Sequence, residues 1–387
     1  MANAPKILFL VTEDWYFYSH RLPIARAARD AGCEVLVASR ARSFGDKITR
    51  EGFKLIPIRL QRTGKNPFSE IFSLFEIIRI YHREKPILAH HVAMKPVIYG
   101  SIAASLTGTP VTINAMAGLG FVFTSDRWLA RFLKPLVQFF FRILLNRSDN
   151  KVIVQNPDDR RVLTETVGLS ESRITVIRGS GVELQHFRPT PEPIGIVTVT
   201  LVSRMLWDKG VSEFVEAARL LKEGGVEFRA VLVGDPDPEN PASISEEQLQ
   251  VWQSLGIVEC WGSLEDIPSV WARSHIAVLP SYREGLPKSL LEAAACSRPI
   301  IASDVPGCRE IVCHNKNGLL VQVRNPGALA EAMKTLISNK ELRYSMGAKG
   351  RVLVEQNFSD EVVVRDTLSL YKKLLGNKWP KSKSPIL

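Results

Sequence analysis

Short apolar runs alternate with stretches of helical spacing over most of the chain. In the first half, Lys6–Thr12, Glu34–Ser39, Phe53–Ile58, Ile87–His90, Val111–Asn114 and Lys151–Gln155 read as strands. Ser19–Asp30, Pro67–Arg83 and Lys95–Leu106 carry helical periodicity, and Gly32 and Gly108 follow two of these helices as stop signals. Gly179–Gly195, rich in Gly and Pro, breaks the pattern and reads as a linker. Alternation then resumes. Ile196–Ser203, Phe228–Gly234, Ile257–Trp261, His275–Pro280, Pro299–Ser303 and Leu319–Val323 are predicted strands, with helices at Val211–Lys222 and Glu246–Leu255 and a mainly helical tail from Ala328 to Leu375. Strand and helix in turn predict parallel sheets covered on both faces. We expect an α/β protein of two doubly wound, Rossmann-like domains with a cleft between them and ligands at the carboxyl ends of the strands.

Composition narrows the class. The 387 residues are 45% apolar and 23% charged, as in a soluble globular protein of two or three domains. Cys33, Cys260, Cys296, Cys308 and Cys313 form no C-x-x-C pair and no metal-like spacing, so reduced, core-filling thiols in a reducing compartment are expected. There is no apolar run of about 18 residues, and the first residues lack a basic-then-apolar leader, so neither a span nor a signal peptide is expected. The net charge of +10 is unevenly placed: residues 1–180 hold 26 Lys and Arg against 15 Asp and Glu. That excess points to an anionic partner for the first half. No base-reading module accompanies it, so nucleic acid is not expected.

Two motifs carry chemistry. In Tyr282–Glu292 (YREGLPKSLLE) a strand ends, a loop brings Glu284 and Gly285, and a helix opens near Leu286 and Pro287. A helix start at a strand's carboxyl end suits phosphate or a polar sugar, and Glu284 and Glu292 bracket it. In Leu201–Gly210 (LVSRMLWDKG), Arg204 and Lys209 flank a strand-to-helix loop as a clamp for a diphosphate. Each motif also reads as ordinary surface chemistry when taken alone. The triplet Asp235-Pro236-Asp237 lies in a Pro-rich loop and reads as a turn rather than a metal ligand set.

Glu284 and Glu292 form an E-x7-E motif. With the run EGLPKSLLEAAACSRPIIASDVPGCRE and the S-R-x4-K-G spacing of Arg204 and Lys209, the chain resembles the family 4 glycosyltransferases of the GT-B fold. SHRLPIARAA at Ser19–Ala28, KPVIYG at Lys95–Gly100 and GLGFVFTS at Gly118–Ser125 resemble bacterial enzymes that extend polyprenyl-diphosphate-linked surface glycans, as in lipopolysaccharide and other polysaccharide biosynthesis. The resemblance implies a retaining, metal-independent transferase that moves a sugar, plausibly an N-acetylhexosamine, from a UDP donor to a lipid-linked acceptor. It places Arg204, Lys209 and Glu284 at the reacting diphosphate and sugar. Gly285, Leu286, Pro287, Lys288 and Glu292 would hold the donor, with Trp261 near the base. The glycine-rich first loop of many relatives is absent here, where Glu13–His20 stands, and a histidine common in relatives is replaced by Ala117. His20, His90, His91, Lys95, Asn114 and Gly118 remain as acceptor-site candidates. The implied division is 1–180 for an acceptor-binding, membrane-facing domain, 195–357 for the nucleotide-sugar domain, and 358–377 for a helix returning to the first domain.

Arg127–Arg147 (RWLARFLKPLVQFFFRILLNR) adds a membrane signal. Arg127, Arg131, Lys134, Gln138 and Arg142 fall within roughly 80° of one another on a helix whose remaining circumference is largely apolar. Such a helix suits an interfacial position, with its cations at lipid headgroups; a core helix with one wet edge is the other reading. The expected location is cytoplasmic, peripheral at the inner face of the cell membrane. Two rival activities remain open. A sugar-nucleotide epimerase or other enzyme of the same fold shares the donor motifs. An NAD-dependent oxidoreductase would need G-x-G-x-x-G, but Phe123 and Leu184 stand where its third glycine would be.

Overall fold

The computed structural model describes residues 4–62, 66–116, 118 and 128–380. The chain forms two compact units, Met1–Ser180 with Val363–Leu387 and Gly181–Val362.

The first unit is built on seven strands: β1 (Lys6–Glu13), β2 (Glu34–Arg40), β3 (Lys54–Pro57), β4 (Leu88–Val92), β5 (Val111–Ala115), β6 (Asn150–Val154) and β7 (Ile174–Val176). They lie in the order β3-β2-β1-β4-β5-β6-β7, every neighbouring pair parallel. Because side chains alternate along a strand, Ile7, Phe9 and Val11 enter one core layer and Leu8 and Leu10 the other. Helices Asp14–His20 and Leu22–Asp30 cover the first layer, and Pro67–Glu84 and Met94–Thr107 the second. A sheet buried on both faces explains why its strands read as unbroken apolar runs. From Val363 onward, helix Asp360–Leu375 belongs to this unit, with Val363, Leu370, Tyr371 and Leu375 buried in the first layer.

Two differences from the sequence reading arise from partners distant in sequence. No loop follows β1: a helix starts at Asp14, whose buried carboxylate accepts the backbone N–H groups of Trp15, Arg42 and Phe44. β4 runs on to Val92, since it pairs with β1 and β5 through His90 and His91. Both histidines are therefore strand residues, His91 included, although the predicted strand ended at His90.

The second unit has six parallel strands, β8 (Thr198–Val202), β9 (Arg229–Val233), β10 (Glu259–Cys260), β11 (Ile276–Leu279), β12 (Ile300–Ser303) and β13 (Gly318–Val321), in the order β10-β9-β8-β11-β12-β13. Ile276 and Val278 face one core layer, and Ala277 and Leu279 the other. The Gly- and Pro-rich stretch is built into this unit, which begins at Gly181 rather than 195. Val182 and Phe187 are buried in its core. Arg298 donates to Thr190 Oγ1 and the Pro191 carbonyl. Arg343 holds Glu192 at 2.6 and 3.0 Å, with both side chains buried.

Among the described residues, no helix is long and apolar enough to cross a membrane. Cys33, Cys296 and Cys308 are buried, and burial pushes the first two thiols up to about 12, so they are neutral packing groups; Cys313 is exposed and Cys260 half-buried, so these two do not fill the core as expected.

The Arg343–Glu192 pair gives a stability prediction. Arg343→Ala leaves a buried carboxylate uncompensated and should cost about 3–5 kcal/mol in urea unfolding. Arg343→Met combined with Glu192→Leu should recover most of that loss. A single-variant loss under about 1 kcal/mol would mean that the pair is not holding the segment.

Candidate active site

In the second unit the chain runs outward from β8 to β9 and β10, then returns to add β11, β12 and β13 on the other side. The order therefore reverses between β8 and β11, and the loops leaving their carboxyl ends diverge around a crevice. The loop after β8 carries Arg204 and Lys209; the loop after β11 carries Glu284 to Pro287. Lys209 Nζ lies 2.5 Å from Glu284 Oε1, with the lysine about one-fifth exposed and the glutamate largely buried. Arg204 pairs with Asp237 at 2.5 Å and is more open to solvent. Each cation is thus oriented by a carboxylate rather than left to sample many rotamers.

The loops are fixed to one another by backbone. The Asp208 carbonyl accepts from Tyr282 N–H at 2.9 Å and from Ser281 Oγ at 3.1 Å. Gly210 has φ +71°, and a Cβ there would meet the Pro280 carbonyl oxygen at 2.1 Å. Gly307, after β12, lies so close to the Glu284–Gly285 backbone that a Cβ would sit 2.5 Å from Gly285 O. Side chains at these two positions would force the loops apart.

Pro287 is the N-cap of helix Lys288–Ala295, which opens beside Gly285 and Leu286. Its first turn brings partial positive charge to the same crevice. Glu292 lies one turn further on, 8% exposed, with Lys288 Nζ at 3.8 Å. Burial raises its pKa to about 7, and Lys288 offsets only part of that rise.

Asp237, which the sequence marks only as part of a turn, is the partner of Arg204. The two are 33 residues apart and meet only because β8 and β9 are neighbours. Asp235 accepts the Ser263 N–H at 2.9 Å. Both acidic groups of the D-x-D triplet therefore tie their loop to the loops after β8 and β10. Trp261 is placed differently from its expected role at the base. Its ring lies 3.7 Å from the Arg273 guanidinium, in a pocket of about 490 Å³ with Thr198, Arg229 and His275. Those residues stand at the amino ends of β8 and β9 and just before β11, away from the crevice. The cation–π contact draws the ring that way.

The first-unit candidates separate. His90 and His91 are adjacent in β4 and alternate to opposite faces. His90 stacks on Phe9 at 5.2 Å and bonds through Nδ1 to the Tyr371 hydroxyl. His91 donates from Nδ1 to Asn114 Oδ1 at 2.7 Å and accepts at Nε2 from Tyr81 at 2.8 Å; Ser101 also donates to Asn114. All three candidates, His90, His91 and Asn114, are buried. Burial depresses both imidazoles, His91 to about 4, so they are neutral core groups and do not present to an acceptor as expected. Lys95 is held by Glu70 at 2.8 Å and by the Gln61 carbonyl at 2.9 Å. His20, half-buried at the end of helix Asp14–His20, stacks on Tyr16 at 4.0 Å and meets Ser19 Oγ at 2.6 Å. Gly118 has φ +107°. Ala93, which no sequence signal marked, is held at φ 76°, ψ 167° just after β4, a region otherwise left to glycine. Ala117, Arg127 and the side chains of Arg131 and Lys134 lie outside the described residues; Arg142 is exposed on helix Trp128–Leu145.

Two family models cover most of the chain: "Glycosyl transferase 4-like" matches residues 6–156, and "Glycosyl transferases group 1" matches 186–353. The chain belongs to the family 4 glycosyltransferases. The crevice described above falls within the group 1 match. A Campylobacter jejuni N,N'-diacetylbacillosaminyl-diphospho-undecaprenol alpha-1,3-N-acetylgalactosaminyltransferase is 28% identical, covering 96% of this chain and 100% of the relative. An Escherichia coli UDP-Gal:alpha-D-GlcNAc-diphosphoundecaprenol alpha-1,3-galactosyltransferase is 24% identical over 79% of this chain and 80% of its own length. Among solved structures, a Rickettsia africae glycosyltransferase superposes with TM-score 0.77 at 22% identity, over 97% of this chain and all of that one. Anabaena Alr3699/HepE, in complex with UDP and glucose, also has TM-score 0.77, at 18% identity over 95% and 99%. The fold of this glycosyltransferase is GT-B.

Glu292 supplies a pH prediction. Its folded pKa of about 7 exceeds the ordinary 4.5, so the unfolded chain releases the proton first as pH rises. The folded state should lose stability between pH 4.5 and about 7 on this account. Glu292→Gln should be progressively more stable than the parent over that interval, with the gain level above it. Parallel stability curves from pH 4 to 8 would remove the buried-carboxyl interpretation.

Proposed function

We propose that this glycosyltransferase moves a sugar, an N-acetylhexosamine, from a UDP-sugar to a glycan carried on polyprenyl diphosphate, with retention and without a metal. The observation that carries this reading is the pairing of Lys209 with Glu284 beside Arg204 and the Lys288–Ala295 helix start, at the point where strand order reverses. Two fixed cations and a helix terminus suit a nucleotide diphosphate. Departure of UDP breaks the anomeric C–O bond and leaves both electrons on a phosphate oxygen. Arg204 and Lys209 stabilise that growing charge, and a site whose charges are already oriented loses little energy reorganising. The phosphates take over the cations from Asp237 and Glu284. Glu284 then accepts from hydroxyls of the donor sugar, and Glu292 from those of the ribose. Gly285, Leu286, Pro287 and Lys288 line the donor through backbone and the lysine charge. The sugar passes through an oxocarbenium-like state. The acceptor hydroxyl attacks the face that UDP leaves, and its proton passes to the departing phosphate.

The donor class and the lipid-linked acceptor are supported by the names of the Campylobacter and Escherichia relatives. The first unit would receive the acceptor, with His20, Lys95 and Gly118 as the remaining candidates. Membrane contact is proposed through helix Trp128–Leu145, on which Phe139, Phe140 and Ile143 are exposed beside Arg142. The protein would then sit peripherally on the cytoplasmic face.

Turnover of UDP-sugars with polyprenyl-diphosphate acceptors should persist in EDTA, and a strict divalent-metal requirement would contradict the cation clamp. Arg204→Ala and Lys209→Ala should each lower kcat at least about 100-fold, comparable to removing one oxyanion donor, with the melting curve intact. Full activity in both would exclude their role. Charge reversal at Arg131 and Lys134 should shift the protein from the membrane to the soluble fraction; unchanged partitioning would count against this helix as the contact.

A further inference from the structure

Helix Pro67–Glu84 has two apolar faces. Ile77, Ile80 and Tyr81 are buried in the core, joined by Ser73 and Glu84. Phe68, Ile71, Phe72 and Phe75 are instead 74, 52, 73 and 65% exposed. At about 100° per residue these four fall in a sector of roughly 100°, diametrically opposite the buried set. Arg79, His82 and Arg83, all exposed, continue the outer sector toward the helix end. One apolar stripe is enough to hold a helix on its sheet. A second, made of three phenylalanines and an isoleucine, signals a partner.

Beside the outer face runs a groove of about 530 Å³, whose lining includes Phe72, Phe75, Arg59 and Arg79. Two carboxylates also line it, and both are engaged with their own unit. Glu70 holds Lys95 and Tyr99, and Glu76 accepts the Arg59 backbone N–H at 2.8 Å. Among the described residues, the guanidinium groups of Arg59 and Arg79 have no carboxylate partner. Aromatic side chains at the start of a face and exposed cations at its end match the acyl boundary and phosphates of an anionic bilayer. The positive excess of residues 1–180 has the matching sign.

We propose that this face docks on an anionic phospholipid surface. Phe68, Ile71, Phe72 and Phe75 enter the headgroup–acyl boundary, and Arg59 and Arg79 bind lipid phosphate in the groove. The site is separate from helix Trp128–Leu145 and does not depend on the donor chemistry.

The test is co-sedimentation of the full chain with phosphatidylcholine vesicles and with vesicles of phosphatidylcholine and phosphatidylglycerol. The parent should prefer the anionic vesicles, and the preference should weaken with salt. Phe68→Ser, Phe72→Ser and Phe75→Ser together should lower partitioning at least about tenfold. Arg59→Gln with Arg79→Gln should lower it about tenfold or more on anionic vesicles and little on neutral ones. Because these side chains are exposed, thermal unfolding and UDP binding should be unchanged, which separates this outcome from failure of the proposed reaction. Partitioning equal to the parent in both variants would overturn the proposal. So would a parent dimer that the Phe variants dissociate while vesicle binding persists, since the face would then join two copies of the chain.

Discussion

Lys209 reaches Glu284, 75 residues later, because β8 and β11 are adjacent parallel strands whose chains depart in opposite directions. The crevice depends on that adjacency. Parallel strands place all their carboxyl ends on one edge, and the reversal of order opens a crevice at one point along it. The close approaches at Gly210 and Gly307 hold the surrounding loops at a separation that a single methyl group would change.

Electrostatics in the crevice follow from the same packing. Lys209, Arg204 and Glu284 keep some exposure, and each cation is paired with a carboxylate. Glu292, one turn into the helix, is buried beside Lys288, and burial raises its proton affinity. Two glutamates of one motif thus differ in burial and pairing because one comes from a loop and the other from a helix face turned inward.

The first unit applies similar rules to different ends. Strand alternation sends His90 and His91 into opposite core layers, where neutral imidazoles complete hydrogen-bond chains with Tyr371, Tyr81 and Asn114. Its potential for association lies outside the sheet. Helices Pro67–Glu84 and Trp128–Leu145 each expose large apolar side chains near arginines, and helix Met94–Thr107 packs against both. A helix packed against two amphipathic ones leaves their outer faces for partners.

Periodicity alone determined most strands, because burial on both faces demands continuous apolar runs. Arg204, Lys209, Glu284 and Glu292 were legible because strand-to-helix loops carry their motifs within a few residues. Asp14 opening a helix, β4 extending through both histidines, and segment 181–193 joining the second unit were not, since each rests on partners distant in sequence. Trp261 shows the limit most clearly: Arg273, Arg229 and Glu259, none of them part of its motif, fix where its ring points. Local sequence sets which groups a loop offers. Strand order and side-chain packing, which depend on residues far along the chain, decide which of those groups meet.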